Sequence, residues 1–223
     1  MNVYEEGKVI LIDKPYRWTS FDVVKKIRNL TRAKKVGHAG TLDPLATGLL
    51  IVCTGKFTKQ ISLIQDAEKE YTGTIYMGAI TASYDRETAV EQTFDVAFLT
   101  ADLIKQTTEK FTGTLMQSPP LHSAVKVNGQ RAYEMARRGE QLVLQAKQVT
   151  VREFEITGIE MPLIHFRIVC SKGTYIRSLA YDFGKALNVG AYLHDLCRTR
   201  IGDYLLKDAT TMENFKVEEQ DKN

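Results

Sequence analysis

The sequence is poor in most features that announce a chemistry. Its three cysteines, Cys53, Cys170 and Cys197, are odd in number and far apart, and two stand in apolar runs. That argues against a disulfide framework or a zinc site and for buried, reduced thiols. The four histidines, His38, His122, His165 and His194, are scattered without paired spacing, and no CxxC or HExxH motif occurs, so metal catalysis has little support. Nowhere do about eighteen apolar residues run together, and the start, Met1 to Gly7, has neither a basic nor a long apolar segment. The expectation is a soluble, cytoplasmic protein with no membrane partner. Internal repeats, low-complexity tracts and clear linkers are missing too. Net charge is nearly absent, at +3 from 30 Lys+Arg against 27 Asp+Glu, so a polyanion would have to be met by a local patch.

Such a patch is present. Lys25, Lys26, Arg28, Arg32, Lys34 and Lys35 stand between residues 25 and 35 with no acid among them. Directly after it comes Gly37-His38-Ala39-Gly40-Thr41-Leu42-Asp43-Pro44-Leu45-Ala46-Thr47-Gly48. The glycines before Asp43 and the proline after it leave that residue little freedom and bias it away from helix, so its carboxylate is presented by a stiff turn. Asp-Pro also opens ordinary turns, so taken locally the stretch reads equally as a turn or as a catalytic centre.

Ordinary hydrophobic (43%) and charged (26%) content indicates a globular chain with a substantial core. Lys8 to Pro15 reads as a short buried strand, and Thr19 or Ser20 caps a helix with Val23, Val24, Ile27 and Leu30 on one side. Leu49 to Cys53 is a buried strand. Gly55 to Lys59 starts a second helix, with Ile61, Leu63 and Ile64 as its apolar side. Tyr71 to Gly78 alternates as a strand in which Gly73 permits close approach of another backbone or a ligand. The stretch from Thr81 to Thr93 reads as irregular, and Ala101 to Phe111 as a helix. From Met116 to Val149 the chain is basic and turn-rich, with a hairpin at Val125 to Gln130 and a short helix from Ala132 to Arg138, the pattern of a recognition arm. Strands at Val149–Ile156 and Leu163–Cys170 precede a helix with Ile176, Leu179, Ala180, Phe183 and Leu187 on its buried stripe. Tyr175 and Arg177 fall off that stripe, beside the core. The order of elements favours one α+β domain over residues 1–215 around a mostly antiparallel sheet, with a disordered tail at 216–223.

Phosphate-loop and dinucleotide motifs are absent, which leaves a cofactor-free enzyme using a lone carboxylate. The loop from Gly37 to Gly48 closely resembles the catalytic motif of the TruB family, the tRNA pseudouridine-55 synthases. Four further motifs match in order along the chain, one before the loop and three after it: Leu11-Ile12-Asp13-Lys14-Pro15 with Thr19-Ser20, Lys69-Glu70-Tyr71, Gln117-Ser118-Pro119-Pro120 with Ser123-Ala124-Val125-Lys126, and Gly173-Thr174-Tyr175-Ile176-Arg177-Ser178.

The resemblance implies a pseudouridine synthase fold, a central sheet flanked by helices, with a thumb-like RNA-binding arm inserted at about 117–149. It implies isomerisation of a T-loop uridine of tRNA by base flipping, with no metal or organic cofactor needed; separately, a monomer is expected. Asp43 would be the essential carboxylate, acting on base or ribose, with Arg177 pairing to it. Tyr71 would stack on the uracil and Tyr175 would move its proton. Leu196 would pack against the base, His38 would enter the space it vacates, and Lys14, Lys59 and Lys126 would contact the RNA. Three features depart from the family pattern: His122 replaces a frequent tyrosine, residues 82–87 differ, and the chain ends where many members continue into a C-terminal RNA-binding domain. The rivals are a protein that binds and refolds tRNA without chemistry, and an aspartate-nucleophile phosphatase, which would need more acids beside Asp43 than leucine and proline provide.

Overall fold

The computed structural model describes residues 2–123, 125–127, 129–132, 135, 138 and 144–218. The chain divides into two compact units, Met1–Tyr71 with Leu196–Asn223, and Thr72–Asp195. The boundaries fall inside the strands Lys69–Met77 and Ala191–Ile201. Among the described residues no helix is long and apolar enough to cross a membrane.

The first unit is built on the apolar strand Thr47–Thr54, seven of whose eight residues are buried. Alternation along a strand sends successive side chains to opposite faces. Leu50 and Val52 pack on one side with Ile10, Ile12, Val23, Val24 and Ile27, while Leu49, Ile51 and Cys53 pack on the other with Ile64 and Ile201. Burial on both faces is why this run shows no polar alternation. One edge of the strand pairs antiparallel with Val9–Lys14, from Val9 opposite Cys53 to Lys14 opposite Gly48. The other edge is shared. Val36–His38 pairs antiparallel near its end, and Cys197 and Arg198 lie parallel to Thr47 and Gly48 at its start.

The helix Ser20–Thr31 lays Val23, Val24 and Ile27 on the sheet, leaving Lys25, Lys26, Arg28 and Arg32 exposed. Its start is a capping box: the Thr19 hydroxyl accepts from the Asp22 N–H at 3.0 Å, and the Asp22 carboxylate accepts from the Thr19 N–H at 2.9 Å. The segment after Thr54 is a 3-10 turn, Gly55–Gln60, followed by a short helix, Ile61–Asp66. Leu63, expected on its apolar side, is 74% exposed, because two residues from Ile61 a helix points nearly the opposite way. Residues 216–218, expected to be tail, are placed: Glu218 pairs with Lys8 at 2.7 Å, and its N–H donates to the Tyr4 hydroxyl at 3.0 Å. The rest of that tail, 219–223, lies outside the described residues.

In the second unit the strand Lys147–Glu160 pairs antiparallel with Gly113–Gln117 on one side and Leu163–Cys170 on the other. A register shift between Val151 and Glu153 lets Val149, Val151 and Phe154 all turn inward. The helix Ile176–Ala186 buries Ile176, Leu179, Ala180 and Phe183, and Phe183 meets Phe111 and Phe154 at centroid distances of 5.7 and 5.3 Å. Residues 81–93 are more regular than expected, since Ala79–Thr81 pairs with Val90–Thr93. All four residues of the latter strand are exposed, so no apolar alternation marks it. The helix expected over 101–111 is α-helical for Ala101–Thr107 and 3-10 for Thr108–Phe111. Gln117 and Lys147 stand opposite each other, so the arm leaves and re-enters the sheet at adjacent positions. Within it Lys126–Val127 and Gln130–Arg131 form the expected hairpin. Most of the short helix expected after Ala132 lies outside the described residues.

Replacing Thr19 by alanine removes one side of the capping box and should cost about 1 kcal/mol of stability, read as a lower urea midpoint with unchanged slope.

Candidate active site

The loop bearing Asp43 is held through its backbone. Ala39 donates its N–H to the Ile51 carbonyl at 2.8 Å, closing the turn onto the strand it precedes. Gly40 and Gly48 adopt φ of +97° and +96°, values that side-chain-bearing residues disfavour. A Cβ on Gly48 would lie 2.4 Å from the Arg198 carbonyl oxygen, so the close parallel approach there also requires glycine. Between them the buried Ser20 hydroxyl accepts from the Leu42 N–H at 2.9 Å and donates to the Leu42 carbonyl at 3.1 Å. The Asp43 carbonyl accepts from Ala46 N–H at 3.1 Å and the Pro44 carbonyl from Arg17 N–H at 2.8 Å.

Two buried cations complete the cradle. Arg198, 1% exposed, donates Nε to the Leu49 carbonyl at 2.8 Å, Nη2 to Gly40 at 3.0 Å and Nη1 to Thr41 at 3.4 Å. Lys14, with no exposed surface, donates Nζ to the carbonyls of Pro15, Trp18 and Pro44 at 3.0, 2.5 and 3.4 Å. Lys14 was expected to reach RNA; in the structure its ammonium is turned inward, onto the Pro15 and Trp18 carbonyls and, at 3.4 Å, the Pro44 carbonyl of the Asp43 loop. Burial pushes it down to about 8, with the charge of Asp43 opposing and that of Arg198 reinforcing the shift. Asp43 itself is half-buried.

The remaining first-unit candidates are His38, Leu196, Tyr71 and Lys59. Among the described residues, the buried Nδ1 of half-buried His38 has no hydrogen-bond partner. Burial holds its pKa below the ordinary value, a backbone hydrogen bond at Gly40 opposes, and the Arg198 charge adds to the lowering. Leu196 is half-buried, and its carbonyl accepts from the Thr47 hydroxyl at 3.4 Å, one residue before the Cys197–Thr47 pairing. Tyr71 is 8% exposed. Lys59 is exposed on the 3-10 turn.

Tyr175 and Arg177 belong to the second unit. Gln117 brackets the Tyr175 backbone, accepting from its N–H at 2.8 Å and donating to its carbonyl at 3.0 Å, and Ser178 donates to the Ser118 carbonyl at 2.8 Å. The Gln-Ser-Pro-Pro and Thr-Tyr-Ile-Arg-Ser motifs are therefore one structural feature. Tyr175 is the residue preceding the helix, and Arg177 lies in its first turn. Arg177 was expected beside the core, but is 5% exposed. Burial is tolerated because the guanidinium has acceptors: Nη1 donates to the carbonyls of Ser83 and His122 at 3.2 and 3.0 Å, and Nε lies 3.7 Å from the Asp85 carboxylate. Lys126 falls in the hairpin of the arm.

Sequence reasoning missed Arg198, Ser20 and Asp85. Lys14 carried a usable signal, since it shares strand parity with Ile10 and Ile12 and so had to point inward. Arg198 carried none, being one base in an Arg-Thr-Arg run.

Comparison with known proteins places the chain in a family. The model of the TruB family pseudouridylate synthase N-terminal domain matches residues 28–176. A tRNA pseudouridine synthase B from Flavobacterium johnsoniae is 54% identical over 96% of both chains. The protein of that name from Phocaeicola vulgatus is 49% identical, over 95% of this chain and 93% of its own. Among solved structures, a chain of a Cbf5–Nop10–Gar1 complex is similar at a TM-score of 0.74 and 31% identity, over 95% of this chain. This chain spans about half (54%) of that one. Fold and motifs thus define a pseudouridylate synthase with a mixed sheet flanked by helices. Within that class the chain belongs to the TruB family.

The Lys14 environment predicts a pH effect. Its folded pKa, about 8, is below the unfolded value near 10.5, so between those values the unfolded chain binds more protons and stability rises with pH. Relative to Lys14→Met, the wild type should gain about 1–3 kcal/mol between pH 7.5 and 10, measured by urea unfolding of both at each pH. A constant difference would contradict the buried placement.

Proposed function

We propose that the protein converts uridine 55 in the T-loop of tRNA to pseudouridine. The observation that carries this reading is the match along almost the whole of relatives named tRNA pseudouridine synthase B. In the reaction the glycosidic C–N bond breaks, the uracil turns within the site, and a C–C bond to C5 forms as the C5 proton is lost. Asp43 is the essential carboxylate, acting on base or ribose. Arg177 is the cation that keeps it ionised and oriented.

The other roles follow the same resemblance. Tyr71 stacks on the uracil, Leu196 packs against it, and Tyr175 moves the proton. His38 enters the space left by the flipped base. Its burial favours the neutral ring, which is the form that stacks among bases without carrying a charge into them. Lys59, Lys126 and the exposed bases from Lys25 to Lys35 contact phosphates of the T-arm, while Lys14 supports the loop. A stiff cradle suits this chemistry, since a carboxylate fixed in advance needs no reordering as charge develops. The reading includes a monomer in the cytoplasm, without metal or organic cofactor.

Tritium release from tRNA labelled at uracil C5 tests it. The wild type should release tritium and Asp43→Ala should fall to background; release that persists in the variant removes Asp43 from its role. Absence of release by the wild type from any T-loop substrate would favour tRNA binding without chemistry. Arg177→Ala should lower the single-turnover rate by about 10²-fold or more, with tRNA affinity little changed. Collapse of binding with intact chemistry would remove Arg177 as the partner of Asp43.

A further inference from the structure

Two contacts join the same two segments of the second unit. One is the ion pair of Asp85 with Arg177, 3.7 Å apart and nearly dry, with side-chain exposures of 8% and 5%. The other is a ring stack of Tyr84 on Tyr181, with centroids 4.0 Å apart and planes 16° from parallel. Tyr84 and Asp85 are neighbours in one loop. Arg177 and Tyr181 are four residues apart on one helix, the spacing that places side chains on a common face.

Tyr84 has φ of +62°, a left-handed conformation that a bulky aromatic residue strongly disfavours. Its N–H donates to the Thr81 carbonyl at 3.2 Å, and its carbonyl accepts from Leu193 N–H at 2.9 Å. Asp85 is fixed in turn. One of its carboxylate oxygens accepts from the Ser83 hydroxyl at 2.5 Å and the Glu87 N–H at 2.9 Å, leaving the other toward Arg177. The Asp85 carbonyl accepts from the Thr81 hydroxyl at 2.6 Å. Strained conformations persist where surrounding contacts over-determine them. The stack is such a contact, and it lies one residue from the carboxylate and one helical turn from the guanidinium.

We propose that Tyr84 and Tyr181 are positioning residues for pseudouridine formation: their stack holds the strained turn that delivers Asp85 to Arg177, and so fixes the guanidinium. The proposal rests on the role given above to Arg177. The tyrosines act through the Asp85–Arg177 pair and not on the substrate.

Tyr181→Leu and Tyr84→Asn should each slow single-turnover pseudouridine formation roughly five- to tenfold, the rate equivalent of an aromatic pair, with KM for tRNA unchanged. Tyr181→Phe keeps the ring and should keep the wild-type rate. The double variant should be no slower than the slower single one, because both remove one interaction. Asparagine suits the left-handed conformation, so Tyr84→Asn should slow the reaction without lowering the urea midpoint, a divergence that a purely structural role would not produce. A wild-type rate in Tyr181→Leu, a Tyr181→Phe as slow as the leucine variant, or a raised KM at unchanged rate would overturn the proposal. A wild type that makes no pseudouridine defeats the proposed function instead. The clamp is then judged by unfolding: non-additive midpoint losses for Tyr181→Leu and Asp85→Asn support it, and additive losses overturn it.

Discussion

The start of the Asp43 loop is fixed to the strand behind it by the donors that Arg198 sends to backbone carbonyls. The loop is only partly covered by other structure, yet it is held through its backbone. Its inward carbonyls need partners, because an unsatisfied buried carbonyl costs about 1–3 kcal/mol. A guanidinium carries five N–H donors in a rigid fork, and Arg198 spends three nitrogens on Gly40, Thr41 and Leu49. One side chain thereby ties the start of the loop to the strand that follows it. Gly48 must lack a Cβ for the same reason, since the Arg198 backbone lies directly against it.

That choice of anchor has an electrostatic consequence. Carbonyls orient a guanidinium without neutralising it, so the charge of Arg198 reaches its neighbours. It helps to hold both Lys14 and His38 below their ordinary pKa values, after the larger effect of burial. Lys14 is the complementary case: it too is bound only through carbonyls, and the Asp43 carboxylate is the leading charge that favours its protonation. The second unit treats its arginine similarly, with the Ser83 and His122 carbonyls on Arg177, but adds the Asp85 carboxylate.

The legibility of all this in the sequence followed from periodicity. The Val9–Lys14 strand, the Ser20–Thr31 helix and the buried stripe of Ile176, Leu179, Ala180 and Phe183 were visible because apolar residues recur at the spacing of the element they build. Val90–Thr93 was invisible because it is exposed throughout and so has no apolar face. At the site, Asp43 and its glycines were recognisable because the special backbone conformation restricts residue type. The supports were not, because a carbonyl acceptor belongs to every residue and leaves no mark. Nothing in the sequence ties Arg198 to Gly40, or Ser20 to Leu42. Asp85 was hidden differently: it stands in a segment that departs from the family pattern, behind a tyrosine whose backbone conformation no tyrosine advertises.

The arm shows how such unmarked contacts link regions that sequence reading keeps apart. Gln117 ends the strand from which the arm departs, opposite Lys147 where the arm returns. Its side chain is 4% exposed and holds both backbone groups of Tyr175. An amide bonded at both ends cannot turn without breaking one bond, and in a buried setting that bond is not replaced by water. The root of the arm and the backbone of Tyr175 therefore move as one body. The tie continues past the root, since the Ser118 carbonyl accepts from the Ser178 hydroxyl and the His122 carbonyl from Arg177 Nη1. The chain that leaves the sheet at Gln117 is thus held to the start of the Ile176–Ala186 helix at Gln117, Ser118 and His122, three points that no periodicity marks.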